Sequence, residues 1–507
     1  MDLLSLFLVG TGTLVILLSI GIFAILITSL MGKSISDPSY HPVVGTIFHQ
    51  LVYFHRLFDY LADLSRKHPT FRLIAPFQSE IYTVDPRNVE HILKTSFDNY
   101  PKGQHCYEIV HDLFGDGIFG VDGEKWRRQR KLASFGFSTR VLRDFSCAIF
   151  RTNAAKLAQI VKDFAAEKMA FDIQDLLMKC ALDSIFEVGF GVKLNCLDGS
   201  SEAGNTFCKA FDESNGLVYW RFPDAFWKIK KVLNVGSEAK LKGNIKSIDA
   251  FLYDLIRNKR QMPSFKGNNS DKKDILALFL LESEKDPESM NDQYLRDIIL
   301  NFIIAGKDTT ASTLSWFFYM LCRHPLIQEK ISQQVNDVIK DQRNINDFVG
   351  ELTDATLDKM HFLHAALTET LRLYPAVPID RKCAEVDDVL PDGFKLKKGD
   401  GINYFAYGMG RTKSIWGEDA EEFRPERWLE DGIFRPESPF KFVAFHAGPR
   451  ICLGKEFAYR QMKIIAMVLL RFFRFQLNDE KKEVKYRTMF TLHIDGGLQL
   501  RALSRLS

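Results

Sequence analysis

The run Phe445-His446-Ala447-Gly448-Pro449-Arg450-Ile451-Cys452-Leu453-Gly454 carries the sharpest chemical signal in the chain. A loop containing Gly and Pro delivers a cysteine to the start of a helical pattern at about 453–471. Backbone N–H groups and the helix dipole stabilise a thiolate there. A thiolate facing an iron is an electron-rich ligand that promotes O–O bond cleavage. The competing reading of Cys452 is a buried structural cysteine in a tight turn. A second candidate is Ala305-Gly306-Lys307-Asp308-Thr309-Thr310, midway along a helical pattern at 292–323. Glycine and two threonines weaken a helix interior, so their presence needs a reason. An opened turn carrying the Thr309 hydroxyl and the Asp308 carboxylate can hold water and pass protons. An ordinary polar notch is the alternative.

Two further pairs are weak alone. Glu369 and Arg372 share a face of a pattern at 356–373, at i,i+3 spacing. Trp126 and Arg130 lie one turn apart in Trp126-Arg127-Arg128-Gln129-Arg130.

The elements that must position these groups are mostly helical. Helical patterns run at about 274–284, 292–323, 325–341 and 356–373, and residues 87–260 read mostly as helices separated by Gly-rich turns. Phe71–Pro76 and Glu80–Val84 predict two short strands, and Phe394–Lys398 with Gly401–Tyr407 a small strand pair. Residues 411–451 form a long irregular approach to the cysteine loop, and Pro263–Lys273 is an internal loop by composition. The expected fold class is mainly α with a small β region.

From Leu3 to Gly32 no residue is charged, and about twenty apolar residues suffice to span a bilayer. Asp2 at the start and Lys33 after the run favour an uncleaved anchor over a signal peptide, with the body on the cytosolic side. The expected organisation is therefore a transmembrane helix over 1–32, a Pro-broken hinge over 33–45 and one body over 46–507. Ile464–Leu470 is shorter and reads as core helix. A net charge of +3 on 507 residues offers no global field for nucleic acid. The 8 cysteines include no CxxC pair, so neither a zinc site nor a disulfide framework is expected.

Taken together, these runs resemble the cytochrome P450 family. Phe445–Gly454 matches its haem-binding loop, F-x-x-G-x-R-x-C-x-G, at every defining position; Ala305–Thr309 matches its oxygen-activation motif, [AG]-G-x-[DE]-T. Glu369-Thr370-Leu371-Arg372 and Phe423–Trp428 are similar to its helix-K motif and partner, so the resemblance implies that Arg427 joins Glu369 and Arg372 in a buried charge network. Trp126 and Arg130 match W-x-x-x-R of helix C. The resemblance covers about residues 40–500. It implies the cytochrome P450 fold and haem b with Cys452 as axial iron ligand. It also implies Trp126, Arg130, Arg450 and Arg381 as propionate partners, Phe445 as part of the haem loop, and Asp308 with Thr309 as the catalytic proton-handling pair. His446 is expected to serve loop packing.

No nucleotide-binding fingerprint is present: Gly408-Met409-Gly410 lacks the third glycine and the strand–helix setting. Electrons must come from a partner, which the resemblance implies is NADPH–cytochrome P450 reductase at the endoplasmic reticulum membrane. Lys125, Arg127, Arg128, Lys131, Lys455, Arg460 and Lys463 are the expected basic docking groups. The runs 448–463, 305–318 and 369–380 look like plant long-chain fatty-acid hydroxylases, which act at or near the ω carbon. Ile109, Phe114, Ile118 and Phe119, with the aromatic stretch Phe207–Trp227, would cover the pocket. Ala305 stands where animal ω-hydroxylases often carry a haem-linked glutamate, so haem is expected without an ester bond. The alternatives are a haem-thiolate isomerase or dehydratase of lipid hydroperoxides, which would commonly lose the Asp308–Thr309 pair, and a non-enzymatic haem protein.

Overall fold

Which way a side chain points along one edge strand of the sheet decides much of the site. The computed structural model describes residues 13–21, 43–46, 48–74, 79–138, 140–261, 274–340 and 344–505. Strand β1 (Val43–Thr46) pairs parallel with β2 (Thr70–Ile74), and β2 pairs antiparallel with β3 (Ser79–Thr83). Two late strands, β4 (Asp380–Cys383) and β5 (Gly401–Tyr404), complete the order β1-β2-β3-β5-β4. The register sets Arg381 opposite Asn403 and Lys382 opposite Ile402. Period-two alternation therefore sends Arg381, Asn403, Glu80 and Tyr82 to one face, and Asp380, Lys382 and Tyr404 to the other.

The expected pairing of Phe394–Lys398 with Gly401–Tyr407 does not form. Lys395–Leu396 instead folds back on Asp388–Val389 around a tight turn at Pro391-Asp392-Gly393. Gly393 supplies a φ of 88° there and its N–H donates to Leu390 O at 2.8 Å. Gly399, at φ 89°, then turns the chain away toward β3. A second sheet joins β6 (Phe473–Leu477), β7 (Gln499–Ser504) and the short strand Phe171–Asp172.

The helices that matter for function are α1 (Leu57–Lys67), α2 (Gly103–Phe114), α3 (Gly123–Ser138), α4 (Arg140–Ala166) and α5 (Ile173–Phe190). They continue with α6 (Glu202–Trp220), α7 (Trp227–Leu233), α8 (Gly236–Gln261) and α9 (Asp292–Ile303). The last are α10 (Thr309–Arg323), α11 (His361–Leu373) and α12 (Lys455–Phe472). Side-chain caps start several of them. Asp172 accepts from the N–H groups of Gln174 and Asp175 at α5, and Asn291 accepts from Tyr294 N–H at α9. Helix α5 is buried on nearly every side and packs on α4 and α10; α12 packs on α4, with Ile464–Leu470 wholly inside. Each such aliphatic side chain contributes about 1.5–3 kcal/mol on burial.

The helix expected at 292–323 is interrupted: Ile304–Asp308 is one π turn between α9 and α10. The pattern at 356–373 also divides, into Asp354–Asp358 and α11, because a Thr353–Thr356 capping box starts a separate short helix. Of the expected anchor, residues 13–21 are helical with exposed side chains; 1–12, 22–42 and the loop 263–273 lie outside the described residues. Among the described residues no helix is long and apolar enough to cross a membrane.

Candidate active site

The cysteine loop is held from both sides. Cys452 N–H donates to Phe445 O at 2.9 Å, and Ile451 N–H to Gly448 O at 3.0 Å. Gly448 adopts φ 64°, and a Cβ there would lie 1.8 Å from Leu93 O, so no other residue lets the loop sit on that backbone. Behind Cys452, α12 begins at Gly454 with no side-chain cap, leaving its first N–H groups to the loop. Burial pushes the Cys452 thiol above its ordinary pKa, opposed by the Gly454 N–H and by Arg130 and Lys455. A coordinated metal reverses that preference and deprotonates a thiol outright. Cys452 is also the exposed member of the free cysteines. The remaining free cysteines are buried or half-buried.

The loop, α3 and β4 carry cations, among them Arg450 and Lys382, each with a buried atom that has no partner. Arg450 donates to Asp122 at 2.5 Å and to Val121 O at 2.9 Å, and its guanidinium lies 4.4 Å from the Trp126 ring centre. Its Nε is buried without a partner. Arg130, from α3 like Trp126, donates to Ile451 O at 2.5 Å. Lys102 pairs with Asp380, which also accepts from the Tyr404 hydroxyl. Lys382 is buried at 1% exposure and its Nζ has no partner. Burial, reinforced by Lys102, drives the Lys382 pKa well below its ordinary value. Such orphaned cationic groups are expensive unless an anion completes them. An electron-rich sulfur beside unsatisfied cations fits a haem with its two propionates: Cys452 would ligate iron, while Arg450, Lys382, Lys102, Trp126 and Arg130 would hold the carboxylates.

Arg381, expected among those partners, is turned away. It sits on the opposite face of β4, where Nε and Nη2 both bind Glu80, Nη2 at 2.8 Å. The cation that β4 presents beside Lys102 and Asp380 is Lys382, one residue on. Strand alternation makes a one-residue offset a complete reversal. His446 is a packing residue of the loop: its Nδ1 meets the Tyr404 hydroxyl at 2.7 Å, and its φ is 57°.

The π turn forms the facing wall. Ile304, Ala305 and Thr309 line a cavity of 430 Å³. The Thr309 hydroxyl donates to Ala305 O at 2.5 Å. Gly306 makes the packing possible, since a Cβ there would stand 2.7 Å from Ile185 Cδ1 on α5. Asp308 does not line the cavity. It is wholly buried, accepting from Lys307 Nζ and Asn215 Nδ2, both at 2.9 Å, with His493 Nε2 at 3.8 Å. Lys307 also reaches Asp212 at 2.5 Å. Burial opposes the Lys307 charge, but Asp212 and Asp308 hold its pKa well above the ordinary value. This network escaped sequence reading because Asp212, Asn215 and His493 are far from Asp308 in the chain.

The Glu369 network is brought together in full. Arg372 clamps Glu369 with Nε and Nη2, each at 2.8 Å; Arg427 adds a contact at 3.4 Å and the Trp428 indole N–H one at 2.8 Å. Arg372 also donates to the carbonyls of Gly410, Ala420 and Glu422. The irregular stretch is thereby tied to α11.

Of the expected pocket aromatics, Phe114, Phe119, Tyr219, Phe222 and Trp227 line the cavity. Phe207 and Phe211 stack in the core near Phe186 and Phe251, where α6 packs on α8. Phe490 and Thr491, from the hairpin before β7, line the cavity without having been expected. Among the expected docking cations, Lys463 is buried and donates to Leu357 O at 2.9 Å, while Lys125 and Arg128 pair with Asp116 and Asp286.

Comparison with known proteins agrees with this geometry. A family model described as cytochrome P450 matches residues 35–500. Cytochrome P450 704C1 of Pinus taeda is 51% identical, covering 92% of this chain and 93% of its own. Cytochrome P450 704B1 of Arabidopsis thaliana is 43% identical, with 93% and 95% covered, and cytochrome P450 86B1 of the same plant 39% identical, with 89% and 82% covered. The chain belongs to the cytochrome P450 family, and its cofactor is a haem-thiolate iron.

Proposed function

We propose that this monooxygenase hydroxylates a long-chain fatty acid at or near its ω carbon. The observation that carries the reading is that Ile304, Ala305, Val377 and Ile379 line the same cavity as Thr309. Such a wall suits a hydrocarbon end rather than a polar group. The likeness of residues 448–463, 305–318 and 369–380 to plant fatty-acid hydroxylases supports the lipid class.

Bound haem supplies dioxygen activation with two electrons from a redox partner. The chain's own residues do the rest. Cys452 offers its sulfur from the start of α12. Thr309 holds a proton at Oγ1 on the cavity side of the π turn, and Ala305 O receives it when nothing else does. Asp308, one residue back, faces Lys307 and, through it, the half-buried Asp212. That places a charged relay behind the hydroxyl rather than beside it. The apolar walls exclude water from the reacting end.

The electron donor in this reading is NADPH–cytochrome P450 reductase, and residues 1–32 anchor the body to the endoplasmic reticulum membrane. The test is product analysis of membranes holding this protein, a plant reductase and NADPH, fed saturated and unsaturated long-chain fatty acids. A terminally hydroxylated product that needs both NADPH and reductase supports the reading. Turnover of lipid hydroperoxides without either would replace it with an isomerase or dehydratase.

A further inference from the structure

The cavity has two kinds of wall. The helical side, around Thr309, is apolar, whereas the sheet contributes Glu80, Tyr82, Arg381 and Asn403 on one face. Arg381 dominates that face. It is 6% exposed, and its Nε and Nη2 are both committed to Glu80. Glu80 is held in turn by Asn403 Nδ2 at 3.0 Å. The Arg381 Nη1 has no partner. The pair is a built feature: Gly401, in the strand between, could carry no side chain, since a Cβ would lie 2.5 Å from Arg381 Nη2 and from Glu80 Oε2.

A guanidinium can bond two acceptors at once, because its N–H groups form a planar fork. Here one edge is filled by Glu80 and the Nη1 side is left over. A buried donor on a cation, unpartnered and on a cavity wall, calls for an acceptor, and a carboxylate oxygen makes the strongest such bond. We propose that Arg381 Nη1 anchors the carboxylate of the fatty acid, while its methyl end lies against Ile304, Ala305 and Thr309. This rests on the fatty-acid reading and deepens it. It turns regiochemistry into a length measurement: the head is fixed on the sheet, so the carbon presented at Thr309 is set by its distance from the carboxylate.

The test uses the haem-loaded protein. Hexadecanoic acid and its methyl ester are titrated by the substrate-induced spin-state change of the haem, and the oxidised position is read by mass spectrometry. The variant is E80Q/R381Q, which removes both charges together and leaves no unpaired glutamate. The wild type is expected to bind the acid about 10- to 100-fold more tightly than the ester, the range of a charge-assisted hydrogen bond. In the double variant that preference disappears and terminal product spreads to neighbouring carbons. Equal wild-type affinity for acid and ester overturns the anchor even if the variant fails to fold. So does a variant that retains its haem-thiolate carbon-monoxide spectrum and the full acid preference. Oxidation of acid and ester alike at the same carbon overturns the anchor alone. Failure to bind or oxidise either lipid overturns the fatty-acid reading with it.

Discussion

The buried charges at α11 and those at β4 and the cysteine loop differ in how completely they are satisfied. At α11, Glu369 and Arg372 are both inaccessible, and the ring of Arg427, Trp428, Arg424 N–H and three carbonyls takes up their hydrogen bonds. By contrast, Lys382 Nζ, Arg450 Nε and, on the opposite face of β4, Arg381 Nη1 are buried atoms with no partner. A closed network can only hold the chain together. A buried network with open donors is costly as it stands, and is explained by an anion that completes it.

The largest effect is expected where the network is closed. Arg372→Ala leaves Glu369 as an uncompensated buried charge and frees three carbonyls, so about 3–5 kcal/mol of stability should be lost. Most of the chain should then fail to accumulate as haem-loaded protein, read by the yield of the carbon-monoxide spectrum and by urea unfolding. If the variant unfolds within about 1 kcal/mol of wild type, the closed network is not what holds the loop and the contrast fails.

Second comes the π turn, where the buried Asp308–Lys307–Asp212 ion cluster stands behind the cavity-lining Thr309 hydroxyl. Thr309→Ala removes the proton-bearing oxygen but leaves the Asp308–Lys307–Asp212 cluster intact, so folding should be preserved. Product per NADPH consumed should fall by about 100-fold, the lower end of the range for loss of a positioned proton donor. Unchanged coupling would show that the hydroxyl serves only the helix, through Ala305 O.

How far this division was readable beforehand depended on sequence distance. The cysteine loop, the Glu369–Arg372 pair and the Trp126–Arg130 pair are local spacings, and the structure brings each together as expected. Arg427 was also placed correctly, because the Phe423–Trp428 run travels with α11. The orientation of Arg381, which differs from the expected one, has a different cause. Arg381 and Lys382 are adjacent cations, and only the register of β4 against β5, fixed by residues some twenty positions away, sets Lys382 on the face of Asp380 and Tyr404 and Arg381 on the other. Likewise the buried partners of Asp308 come from α6 and from the hairpin before β7, with no periodicity linking them. The π turn at Ile304–Asp308 was legible as an opened turn because glycine and two threonines break the helical preference there.

Lys382→Met addresses the open cluster directly. Removing a buried amine that has no partner relieves the haem-free fold of a desolvation penalty of about 1–3 kcal/mol, so the urea midpoint of the haem-free protein should not fall, in contrast to Arg372→Ala. Haem should instead be lost to a scavenger about ten times faster, since a carboxylate contact is gone. A fall in stability with unchanged haem retention would place Lys382 in the structural class.

The smallest effect belongs to Lys463, which stands between the two classes. It is 8% exposed, with one hydrogen bond to Leu357 O where an ammonium can make three. Burial lowers its pKa from 10.5 to about 8, against the pull of Asp358 and Glu456. Below about pH 8 the lysine is charged in both folded and unfolded chains, so the folded state carries the full burial penalty. Between about 8 and 10.5 the folded chain is neutral there while the unfolded chain still binds the proton. Unfolding then takes up a proton, and stability rises with pH across that window. Lys463→Met should therefore be more stable than wild type at pH 7, by about 1–2 kcal/mol after the lost hydrogen bond is deducted. That advantage should shrink steadily as the pH is raised through the window. Paired thermal melts of the two proteins at several pH values read the difference with all other titrations cancelled. A difference that does not change with pH would mean that the ammonium is satisfied as it stands, and Lys463 would join the closed class with Arg372.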